Sequence, residues 1–119
     1  MAKKKPELWT PKSLYKFWNA RYFRSRLPDI PVGFSAKYHA GYKERHAMGG
    51  TIMTGSPLKP VRIVLNPEYK KAFVIWAQTL LHEMVHVQQW YLPRRLAHGN
   101  QFNKRMQQLA ARGAFRSLW

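Results

Sequence analysis

The sequence predicts a small α+β domain of one amphipathic helix, three short strands and two further helices. Three observations predict it: apolar residues recur at helical spacing near the start, alternating or β-branched runs punctuated by Gly and Pro fill the middle, and a long apolar stretch follows them. The 119 residues are the length of a single domain, and nothing resembling a repeat or a Gly/Ser linker divides them, so residues 1–119 are taken as one unit with a basic arm over 1–8.

Thr10-Pro11 reads as an N-cap followed by a proline at the first helical position. Leu14, Phe17, Trp18 and Tyr22 then share one face, which predicts a helix from about Pro11 to Phe23. Leu27-Pro28-Asp29-Ile30-Pro31 breaks it, and Val32, Phe34, Ala36 and Tyr38 alternate with smaller or polar residues as a half-buried strand does, up to Gly41. A second strand is expected around Met48 to Met53 despite Gly49-Gly50. A third is expected over 61–65, after a loop bracketed by Pro57 and Pro60 and before a stop at Asn66-Pro67. The expected sheet is mostly antiparallel.

From about Ala72 to Trp90 the chain reads as a central helix, apolar on all faces over 72–77 and hence buried there on all sides. Leu92-Pro93 ends it, Arg94 and Arg95 lie in a basic connection, and Phe102, Met106, Leu109 and Ala110 mark a last amphipathic helix.

Composition narrows the chemistry. Twenty-one Lys and Arg stand against five Asp and Glu, a formal charge of +16, which calls for a polyanionic partner. Lys3 to Lys5, Lys12, Lys16, Arg21, Arg24 and Arg26 gather charge near the first helix, and Arg94, Arg95, Lys104, Arg105, Arg112 and Arg116 near the last. Trp9, Trp18, Trp90 and Trp119 are candidates for stacking on the bases of single-stranded nucleic acid, against the plainer reading that each packs in the core. Without cysteine, disulfides, iron–sulfur clusters and thiol nucleophiles are excluded, and any metal must sit on His, Asp or Glu. The longest apolar run, over 72–77, is far too short to span a bilayer, so no membrane association and an intracellular, cytoplasmic setting are expected.

His82-Glu83-Met84-Val85-His86 falls inside the central helix. Histidines four apart on a helix lie about 40° apart around it and about 6 Å apart along it, so both can reach one tetrahedral ion. Glu83 points aside, where a carboxylate takes the proton of an attacking water. Chance placement gives the pattern on the order of 1% of the time. Glu83 is also the only Asp, Glu, Lys or Arg between Lys71 and Arg94, and a carboxylate in so apolar a helix needs a metal, water or cation to meet it. For the third ligand no Asp or Glu follows Glu83, and Gln89 and Leu92 stand where an extended H-E-x-x-H-x-x-G-x-x-H motif needs Gly and His. His98 is therefore favoured, with His39 and His46 as upstream competitors. Tyr42, Tyr91, Arg94 and Arg95 are candidates to stabilise an oxyanion, and spacing does not choose among them.

Thr79-Leu80-Leu81-His82-Glu83-Met84-Val85-His86, followed by His98-Gly99-Asn100-Gln101-Phe102, resembles the SprT-like, or Spartan-type, zinc metallopeptidase domain, over roughly residues 8–112. The resemblance implies a zincin-like fold, Zn2+ held by His82, His86 and His98, Glu83 as catalytic base, and Phe102 packed behind the third ligand. It also implies an endopeptidase that binds DNA and cleaves proteins bound or crosslinked to it. Many relatives carry a Cys-rich zinc ribbon or a long tail after the catalytic domain, and neither occurs here; the chain looks like a minimal form of the kind a bacterium or phage encodes. The expected partners are protein substrates and DNA, preferably single-stranded or junction DNA read with little sequence preference, and the oligomeric state is not legible. Two other functions fit the same residues: a nucleic-acid-binding module with a structural or degenerate metal site, which would not need Glu83, and a small zinc peptidase indifferent to DNA.

Overall fold

The computed structural model describes residues 8–35, 48–57, 59–90 and 100–114, the side chains of 100–103 aside. Helix α1 spans Pro11–Tyr22. Thr10 caps it reciprocally: the Ser13 N–H donates to Thr10 Oγ1 at 3.1 Å while the Thr10 N–H donates to Ser13 Oγ at 2.9 Å, so two backbone donors at the helix start are satisfied. Its inward face is Leu14, Tyr15, Trp18 and Tyr22. Trp18 is fully buried and its indole N–H donates to the Ala114 carbonyl at 3.2 Å, so it is a core residue and not the stacking platform that its sequence context allowed. Trp9 is half-buried against Phe17, with ring centroids 5.2 Å apart.

The turn after α1 is pinned by Asn19. Its carbonyl accepts from the N–H groups of Phe23 and Ser25, at 3.1 and 2.8 Å, and its side-chain amide pairs in both directions with the backbone of Leu27. Within that clamp Arg24 and Ser25 take φ of 53° and 57°, the left-handed region that costs an L-residue roughly 1–2 kcal/mol. Lys12 spans the next stretch, donating to Asp29 Oδ1 and to the Ile30 carbonyl, both at 2.6 Å.

Strands β1 (Val32–Phe34), β2 (Gly49–Thr54) and β3 (Lys59–Leu65) form one sheet in the order β1-β3-β2. The expected, mostly antiparallel sheet is mixed: β2 pairs antiparallel with β3 through a tight turn at Gly55, but β1 lies on the far side of β3 and runs parallel to it. As the central strand, β3 is covered on both faces, which is why Ile63, Val64 and Leu65 are all buried. Pro60, expected as a loop bracket, is inside β3. The register slips there, Ile52 facing Arg62 and Met53 facing Pro60, so that Val61 bulges where proline lacks a ladder N–H.

Asn66 ends β3 and caps a single 3-10 turn at Pro67–Tyr69, its side chain accepting from the Glu68 N–H at 3.0 Å. Helix α2 follows over Phe73–Trp90 and α3 over Asn100–Ala111. The buried residues of α2, among them Trp76, Leu80, Leu81, Met84 and Val85, join the inner faces of α1 and the sheet in one core, and Leu109 of α3 closes it. Two details depart from expectation. The first turn of α2 is not buried on all sides, since Val74 and Ile75 are 48% and 39% exposed, and Ala110 faces solvent although it shares the helical period of Leu109. The expected strand beyond Phe34, through Tyr38 to Gly41, lies outside the described residues.

Candidate metal centre

The site is built where β2 crosses α2. Gly49 makes that crossing close: a Cβ there would lie 2.8 Å from Thr79 Cγ2 and 2.9 Å from the Val64 carbonyl, so any side chain would push strand and helix apart. Two residues along a strand advance about 6.6 Å on the same face, and four residues along a helix advance about 6 Å on the same face. Gly49 against Thr79 therefore sets Thr51 against Glu83. The Thr51 hydroxyl donates to Glu83 Oε1 at 2.9 Å. The sequence reading passed over Thr51; its signal was the pairing of a glycine and a hydroxyl at the two-residue strand period.

His82, Glu83 and His86 offer ligand atoms all within 4.8 Å of one another. The two Nε2 atoms face each other at 3.1 Å, with ring centroids 4.7 Å apart and planes at 75°. Two ligands of a tetrahedral zinc with bonds of about 2.0–2.1 Å sit about 3.3 Å apart, so this imidazole pair fits one ion with little adjustment. Both histidines are half-buried, open enough on one side for a further ligand and a substrate.

Glu83 is 8% exposed. Burial pushes its carboxyl above the usual carboxylate range, and the Thr51 hydrogen bond opposes part of that rise by favouring the ionised form. Its second oxygen, Oε2, lies 3.9 Å from His82 Nε2, beyond hydrogen-bond reach. One carboxylate oxygen is thus tethered by the sheet and the other turned toward the imidazoles, the arrangement a proton acceptor beside a metal requires.

Of the residues singled out in the sequence, His82, Glu83 and His86 are brought together. His98, its competitors His39 and His46, and the oxyanion candidates Tyr42, Tyr91, Arg94 and Arg95 lie outside the described residues, as does the side chain of Phe102. Among the described residues no helix is long and apolar enough to cross a membrane.

A small mixed sheet laid across a helix that bears His-Glu-x-x-His, flanked by one helix before and one after, is a zincin-like, metallopeptidase-like arrangement. The chain belongs to the SprT-like family, whose profile matches residues 12–117. No curated protein and no solved structure matches it.

Proposed function

We propose that this protein is a zinc-dependent endopeptidase that binds DNA and cleaves proteins bound or crosslinked to it. The observation that carries the peptidase reading is the coincidence, within about one helical turn, of two ring nitrogens 3.1 Å apart and a buried carboxylate tethered through one oxygen. His82 and His86, with His98 as the proposed third ligand, would hold the ion. A bound zinc supplies Lewis acidity, polarising the scissile carbonyl and making water acidic enough to attack near neutral pH.

The chain's own residues do the rest. Glu83 accepts the proton of the attacking water at Oε2, while Thr51 holds Oε1 and fixes the plane of the carboxylate. As the C–N bond breaks, the same carboxyl returns that proton to the departing amine, so the base ends the cycle as it began. Burial raises the carboxyl's affinity for a proton, which favours its taking one from water.

The DNA part of the reading is supported by the net charge of +16 and by the resemblance to a family with DNA-dependent members. Holding enzyme and substrate on one polyanion raises their effective concentration, which restrains a small peptidase from acting elsewhere. The test is cleavage of a DNA-binding protein by the zinc-loaded chain, with and without single-stranded DNA at low salt. Faster cleavage with DNA is expected. Equal rates would leave a peptidase that does not depend on DNA, and no cleavage by the wild-type chain under either condition would remove the peptidase reading.

A further inference from the structure

The turn after α1, the end of α2 and the outer face of α3 enclose a cleft of about 500 Å3. Among the described residues that line it five are cationic, Arg24, Arg26, Lys104, Arg105 and Arg112, and none is a carboxylate. Of the acids that the structure describes none lines it: Asp29 pairs with Lys12, Glu83 accepts from Thr51, and Glu68 stands in the 3-10 turn after β3. Among the described residues the fold thus gathers like charges without a counter-charge in the cleft.

Two of the cations, Arg105 and Arg112, are held by contacts of their own. Arg105 donates from Nε to Gln88 Oε1 at 3.1 Å and from Nη2 to the Tyr22 carbonyl at 2.8 Å, and it lies 5.2 Å from the Phe23 ring centroid. Among the described residues that leaves three of its five N–H groups for a ligand. Arg112 rests 5.8 Å from the Tyr22 ring centroid. Arg24 is fixed in the left-handed region by the Asn19 clamp, where glycine is the undemanding choice, and strain kept at a rigid turn is a mark of a working surface. In the wall Gln89 is 6% exposed, and its Oε1 is buried with no hydrogen-bond partner among the described residues. It stands three residues beyond His86, about 4.5 Å further along the same helix.

We propose that this cleft is the docking site for one strand of a single-stranded nucleic acid, its phosphates lodged among Arg24, Arg26, Lys104, Arg105 and Arg112. The proposal deepens the DNA partnership proposed above and rests on it. A concavity of this volume is on the scale of a small-ligand pocket and admits a nucleotide or two, whereas the phosphates of a duplex lie on a convex cylinder that cannot enter. Planar guanidiniums match phosphate oxygens in pairs, and the glutamine amides of the wall suit sugar and base edges without imposing a sequence. Because α2 carries both the cleft wall and the imidazoles, a strand seated here runs within a few residues of the metal centre. A protein attached to that strand is presented to Glu83.

The test uses the full chain and a fluorescent oligothymidylate, with anisotropy read across a salt series. Arg26→Gln, Lys104→Gln and Arg112→Gln are combined in one variant. A control of equal charge change combines Lys16→Gln, Lys70→Gln and Lys71→Gln, all exposed and outside the cleft. The cleft variant is expected to bind at least tenfold more weakly at low salt and to lose about 2 from the slope of log affinity against log salt, since each phosphate contact on a single strand contributes about 0.7. The control should change affinity less than threefold. Arg26→Gln with Lys104→Gln, two solvent-facing side chains, repeats the measurement should the triple variant fold poorly.

Equal losses in cleft and control variants would overturn the site while leaving a nucleic-acid partner in place. No binding by the wild-type chain would overturn both. Displacement of the oligonucleotide by polyglutamate at equal charge concentration would overturn the proposal in favour of an acidic protein partner.

Discussion

Thr51 on the edge strand β2 holds Glu83 on the central helix through a 2.9 Å hydrogen bond, and Gly49, two residues earlier on the same strand face, makes the approach possible. The bond fixes one carboxylate oxygen by a contact from outside the helix. Replacing Thr51 by Val should leave zinc stoichiometry intact and lower kcat with little change in KM. Hydrogen bonds to charged groups contribute about 1.5–3 kcal/mol, so the loss expected is roughly ten- to hundredfold. Thr51→Ser should recover most of it. A Val variant with undiminished kcat would reduce the contact to packing.

Glu83→Gln separates chemistry from stability. Proteolysis should fall about a hundred- to ten-thousand-fold, because an amide does not take the proton from water. In metal-free protein the same change should be stabilising at pH 7. The carboxyl's pKa in the folded state is raised above its unfolded value, so the native state binds more protons between the two values and wild-type stability falls as pH rises through that window. Below the unfolded value both states are protonated and the advantage of Gln should disappear. Thermal melts in chelator at pH 7 and pH 4 check this, and a variant that gains nothing at pH 7 would show that Glu83 is buried without cost.

His98→Ala should weaken zinc binding by at least about a hundredfold, more than the loss of an outer-shell partner usually brings, whereas His39→Ala and His46→Ala should leave it unchanged. Competition against a chromophoric chelator gives the constants. Full affinity in the His98 variant would transfer the third position to one of the upstream histidines.

Gly49→Ala tests the crossing itself. The added methyl meets Thr79 Cγ2 and the Val64 carbonyl below 3.0 Å, and overpacking of this kind costs about 1–3 kcal/mol. Activity should drop together with the melting temperature, since the strand that carries Thr51 must move. A Gly49→Ala chain as stable and as active as wild type would show that strand and helix can separate freely.

Much of this organisation was legible in the sequence, because its signals are local. Thr10-Pro11 announces a capped helix, Asn66-Pro67 announces the end of a strand, and His82-Glu83-x-x-His86 is read directly from a helical period. What depended on distant pairing was not legible. The mixed sheet follows from β1 lying beyond β3, and the tether on Glu83 comes from a residue 32 positions away in the chain. Trp18 carries the same message: its spacing fixes the face of α1 it occupies, but only the carbonyl of Ala114 decides that the indole N–H points inward.

That last contact joins positions 96 residues apart and so sets an order of events during synthesis. Until Ala114 has left the ribosome, α1 lacks the partner of its largest buried side chain, and the core that backs α2 stays open. The helix bearing His82, Glu83 and His86 therefore gains the full backing of α1 only after residue 114 has emerged.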